Sequence, residues 1–116
     1  MQNLEQIRAA SVLGAKNSGN AGDFAGQDGG ASIAKKLPVL IINHGLLQTL
    51  AFANEKKGGY VNLLNHLAKH LTNLGIVDQA ETVTALIKVL SEGDSLRLRQ
   101  ATAESLAWFN YARRFI

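Results

Sequence analysis

His66 and His70 stand one helical turn apart, in the run His66-Leu-Ala-Lys-His70. That spacing places two imidazoles on one helix face, as in a two-histidine metal pair. A zinc hydrolase of that pattern carries Glu directly after its first His, and Leu67 occupies that place. His44 and Glu55 are further ligand types, but only tertiary folding would bring them near. The pair therefore reads as two surface histidines. The nine acidic residues are scattered along the chain, mostly at helix starts and in a loop, where they read as caps and solvated charges. No nucleophile is spaced against a general base. The chain is accordingly not expected to be an enzyme, to hold a metal or to need a cofactor.

Positive charge is the more informative chemistry. The last twenty residues hold Arg97, Arg99, Arg113 and Arg114 against Glu104 alone. That is the whole of the net +3, because the eight cations and eight acids elsewhere cancel. A basic surface of this kind suits a phosphate backbone or an acidic partner. A solvated helix end, with cations favoured by the macrodipole, accounts for it equally well. The same segment carries Trp108, Phe109, Tyr111 and Phe115, four of the seven aromatic residues. Such rings usually anchor a core. Positions 108, 109 and 111 spread around a helix, so at least one ring should reach the surface or a partner.

The elements that position these residues are all helical. Leu4 to Lys16 reads as a first helix, capped by Asn3 with Gln6 completing a weak capping box. Residues 17–32 contain five glycines and read as a flexible loop. The loop lacks Gly-Lys-Ser/Thr, and Asp23 and Asp28 lack the spacing of a calcium loop. Pro38 fits the first turn of a short helix ending near Asn43. Gly45 breaks the chain, and Leu46 to about Lys57 resumes as a helix. Asn43, His44 and Gly45 form a helix junction; Gln48 and Thr49 fit either buried hydrogen bonds or a subunit contact. Leu63, Leu64, Leu67, Leu71 and Leu74 then mark a helical stripe. Asp78 reads as the cap of the next helix, with Glu81 three residues on. Asp94 or Ser95 starts the last one.

No stretch alternates as a strand would. The expected fold is all-α, a compact bundle of about six helices with the Gly-rich loop after the first, in a single domain over residues 1–116. With 47% apolar residues the chain can bury a core, yet no run is long enough to cross a bilayer. There is no cysteine and no signal-peptide pattern at the start. The expectation is a cytoplasmic protein without membrane contact.

Two segments carry a family resemblance. One is Leu37-Pro-Val-Leu-Ile-Ile-Asn-His-Gly-Leu-Leu-Gln-Thr-Leu-Ala-Phe52. The other is Arg99-Gln-Ala-Thr-Ala-Glu-Ser-Leu-Ala-Trp-Phe-Asn-Tyr-Ala-Arg-Arg-Phe115. Together they resemble the small-subunit family of type III-B CRISPR effector complexes, the fifth protein of the Cmr module. A Gly-rich stretch here replaces that family's long first helix. The resemblance implies a non-catalytic prokaryotic subunit for antiviral defence. It would associate with other Cmr subunits, stack with copies of itself, and lie along the crRNA and target RNA. It also implies the site residues: Lys35, Lys36, Arg97, Arg99, Arg113 and Arg114, neutralising RNA phosphates. Two rival readings are a helix-turn-helix-like DNA-binding regulator, disfavoured by its bulky aromatics, and an adaptor that binds only protein.

Overall fold

Leucines at spacings of three and four build the core. In the computed structural model, which describes residues 2–16 and 30–115, six helices are present: α1 (Leu4–Lys16), α2 (Gly30–His44), α3 (Leu46–Lys56), α4 (Gly59–Asn73), α5 (Val83–Glu92) and α6 (Ser95–Phe115). No strand occurs among the described residues. α4 contributes Leu63, Leu64, Leu67 and Leu71, all fully buried. They meet Leu37 and Ile41 of α2, Leu46 and Leu50 of α3, and Leu86 and Leu90 of α5 in one cluster. α6 touches α1, α2, α3 and α4. It drives Trp108 and Phe109 into the centre, where the rings meet edge to face at 5.3 Å. Tyr111 and Phe115 are only half-buried, so the four aromatics divide between core and surface.

Local chemistry sets the ends of these helices. Asn3 and Gln6 form the reciprocal capping box, with both hydrogen bonds at 2.9 Å. Asp94 Oδ1 accepts from the Arg97 backbone N–H at 2.8 Å and caps α6. Gly45 joins α2 to α3 at φ 87° and ψ 160°, a region open essentially to glycine alone. Its carbonyl accepts from both the N–H and the hydroxyl of Thr49, which is buried; Gln48 beside it is exposed.

Three expectations about helix bounds and caps require correction. Residues 17–29 lie outside the described residues, but the expected loop ends earlier than 32, because α2 already begins at Gly30. Pro38 lies inside α2 rather than in its first turn. An interior proline costs about 3 kcal/mol. Burial of Ile33 and Ala34 before it, and of Leu37 and Ile41 around it, holds the helix through that point. Asp78 does not cap α5. Thr82 does, accepting from the Ala85 N–H at 3.2 Å. The chain from 74 to 82 instead folds irregularly over the core, burying Val77 and Ala80. Thr72 and Asn65 side chains accept the backbone N–H groups of Ala80 and Val83. Those bonds supply locally what a longer helix would have supplied.

A polar network ties α1 and α4 to α6. Arg8 donates twice to Glu104, through Nε and Nη2, each at 2.7 Å. Nε2 of His70 sits 2.9 Å from the same carboxylate. Glu104 and His70 are buried, and Arg8 is largely covered. His70 is therefore not a surface histidine: its ring leans on Trp108 and bonds to an acid from another helix. Burial alone would push the Glu104 carboxyl up. The hydrogen bonds and charges of Arg8 and His70 outweigh that and hold it below the usual carboxylate range.

Glu104→Gln strands the Arg8 guanidinium and should lower the unfolding free energy by about 2–4 kcal/mol in urea melts. Because the folded carboxyl is depressed, its contribution is complete above the unfolded value of about 4.3. It is lost as pH falls through the folded value, so wild type and Glu104→Gln should converge in acid. Gly45→Ala meets no neighbour within 4 Å, so its cost is backbone strain alone. We expect about 1–3 kcal/mol lost in the same melts.

Candidate functional site

Buried polar groups that meet in space are the first test for chemistry. A pocket of about 490 Å³ between α1 and α4 brings Ser11, His66, Lys69 and His70 together. With Glu104 behind His70, the residue types are those of a hydrolytic triad. The bonding is not. Trp108 Nε1 donates to Ser11 Oγ at 3.1 Å, and His70 turns Nε2 to Glu104. Ser11 accepts from an indole, and no Ser11–His70 hydrogen bond occurs among the described residues, so the base contact that would activate the serine is missing there. Nor do three His, Cys, Asp or Glu side chains gather for a metal among the described residues. The network is a structural clasp.

The basic residues lie on the outside, and the fold separates them. Lys35 and Lys36 are exposed on the outer face of α2. Two bare aliphatic side chains, Val39 (55% exposed) and Ile42 (70% exposed), share that face. Arg97 is half-buried at the start of α6. Arg99 is exposed and lines an apolar groove of about 680 Å³, where the α2–α3 corner (His44 to Gln48) meets Leu98 and Leu106. Arg113 and Arg114 are exposed in the last turn of α6. Neither forms an ion pair among the described residues.

Arg99 and Arg113 are fourteen residues apart, about 21 Å along a helix. Ionic screening at physiological salt acts over about 8 Å. The two ends of α6 are therefore electrostatically independent. The surplus charge that sequence places on one helix makes two patches, one at each end.

The C-terminal patch opens onto a polar cleft. Arg114 lines it with Ala107, Asn110 and Tyr111 of α6 and with Glu5 and Arg8 of α1, around about 470 Å³. Positions 107, 110, 111 and 114 share one helical flank, which α1 faces. Burial and then the Glu5 carboxylate, which accepts from the Tyr111 hydroxyl, raise that phenol above its ordinary range. Arg8 is a cation in the cleft wall, already engaged by Glu104. Sequence reasoning missed Glu5, Arg8 and Asn110 as lining residues. They sit about a hundred positions apart on two helices, and no local pattern announces that meeting. One signal was available: Glu104 recurs with Ala101, Ser105 and Trp108 on a single helical face. An acid on a core stripe requires a buried partner.

Two comparisons bear on what kind of protein this is. The family model for CRISPR-associated protein Cas_Cmr5 matches residues 4–116. The crystal structure of a CRISPR-associated Cmr5 family protein from Thermus thermophilus is similar to this chain, with a TM-score of 0.72 and 27% sequence identity. That similarity covers 98% of this chain and 95% of the other. No curated protein matches. The family match takes in all six helices, both basic ends of α6 and the Arg8–Glu104 clasp, and the chain belongs to the Cmr5 family of CRISPR-associated proteins.

Proposed function

We propose that this chain is a non-catalytic small subunit of the type III-B Cmr effector, stacking with its own copies and with other Cmr subunits to line the target RNA. One observation carries the RNA part of this reading. Two exposed arginines, Arg113 and Arg114, stand without ion-pair partners among the described residues, and Arg114 lines an open polar cleft. Cations so placed neutralise phosphates without reading sequence, which suits a subunit whose specificity comes from a guide strand. Lys35, Lys36, Arg97 and Arg99 belong to the proposed RNA-facing set, at sites removed from that cleft. The bonding within the Ser11, His70 and Glu104 group supports a role without catalysis.

The bare aliphatics support the assembly part. Val39 and Ile42 on α2 and Leu96 at the start of α6 are more than half exposed. An isolated pair of this kind flanked by lysines suits a protein contact with a polar rim.

An assembly built with Arg113→Glu and Arg114→Glu should fold normally and capture RNA more weakly. Its salt slope should fall by about 1.4 per copy, at roughly 0.7 per lost phosphate contact. A mobility-shift titration across salt concentrations measures both; unchanged capture and slope would remove these residues from the site. Ile42→Asp should leave the melting transition of the free subunit in place. It should lower recovery of that subunit in the assembled complex on a sizing column, and full recovery would exclude the α2 face as a contact.

A further inference from the structure

The cleft between α1 and α6 is a poor site for phosphate alone. Of its two guanidinium groups, Arg8 is committed to Glu104 through two hydrogen bonds. Glu5 places a carboxylate in the same wall. Among the described residues of the cleft, that leaves Arg114 as the cation free to take an anion, facing an acid that would repel a second phosphate. Tyr111, by contrast, is half-exposed in the wall. It meets Phe115 at 6.1 Å and 48°, a tilted contact that braces the ring without stacking against its face. An aromatic ring, a single arginine and a carboxylate acceptor match the parts of one nucleotide better than a run of phosphates.

We propose that this cleft is a nucleobase subsite for single-stranded RNA: a base stacks on Tyr111, its phosphate meets Arg114, and Glu5, one oxygen of which accepts from the Tyr111 hydroxyl, accepts with the other from an amino group on the base edge. The inference rests on the RNA-binding reading above and goes beyond it by assigning a base contact. Carboxylates accept from the amino group of cytosine, and adenine and guanine carry comparable donors, whereas uracil has no exocyclic amine. Where cytosine presents its amino group, uracil presents the O4 acceptor, which the Glu5 carboxylate repels, so a base held at that position is seldom uracil. A second cleft of about 490 Å³, which includes Gln100, Ala103 and Gly75, shares the Arg8 wall. It continues along the same flank of α6 and offers a path for the next part of the strand.

The test is ultraviolet crosslinking of RNA to the assembled complex, with the adducts located by mass spectrometry. The expected result is a nucleotide adduct at Tyr111, depleted in uridine relative to the RNA used, with depletion relieved in Glu5→Gln. Tyr111→Leu should weaken capture about 5- to 160-fold, the range for one stacked base, and Tyr111→Phe should restore most of it. A thermal melt of each free variant checks folding, and the wild-type adduct map decides the matter if Tyr111→Leu misfolds. Absence of any adduct at Tyr111, or full capture by a folded Tyr111→Leu assembly, overturns the base subsite. If Arg113→Glu with Arg114→Glu still weakens capture in that case, the phosphate reading stands alone. If neither set of changes matters, both readings fall.

Discussion

One buried carboxylate organises this molecule. Glu104 sits on α6, which packs on α1, α2, α3 and α4, and receives Arg8 from α1 and His70 from α4. Removing such a charge from water is costly, and the cost is met only because the guanidinium grips both oxygens. The consequence is geometric. α1 otherwise contributes few fully buried apolar side chains, chiefly Val12 and Ala15. The ion pair, with the Trp108–Ser11 hydrogen bond beside it, fixes where α1 lies on α6. Glu5 and Arg8 then become one wall of the cleft whose other wall is Asn110, Tyr111 and Arg114. The clasp and the cleft thus share a residue: Arg8 holds the fold with its guanidinium and shapes the open surface as it passes.

The same helix serves both burial and exposure. Ala101, Glu104, Ser105, Trp108, Phe109 and Ala112 form its inward face, leaving Arg99, Asn110, Arg113 and Arg114 outside. Trp108 and Phe109 anchor it so firmly that the outer cations can stand without ion pairs and not loosen the helix. Arg113 and Arg114 also lie in the last turn, where the helix dipole favours positive charge. The fold therefore tolerates a concentration of like charge that has no acidic partner among the described residues. The other end of α6 differs: Arg97 is half-covered and Arg99 borders an apolar groove.

Much of this is legible in the sequence wherever the signal is local. The leucine spacing in α4, the Asn3–Gln6 box, the glycine at 45 and the Asp94 cap all lie within a few residues of what they determine. The helix through Pro38 and the start of α5 depart from local rules because distant burial overrides them. Ile33 and Ala34 hold a helix through a proline, and Val77 with Ala80 draws the chain before Thr82 onto the core. His70 gives no sign of its burial because its partner lies thirty-four positions away. The basic residues are identifiable by type, but their division into separated patches depends on helix length and packing. The cleft itself, built from two ends of the chain, has no local sequence signature at all.

Hydrogen–deuterium exchange on the assembled complex, with and without RNA, tests the central claim most directly. Free arginines beside an α1–α6 cleft predict slower exchange in residues 4–8 and 107–115 when RNA is added. Protection confined to the α2 face or the N-terminal half of α6, with both cleft segments unchanged, would contradict it.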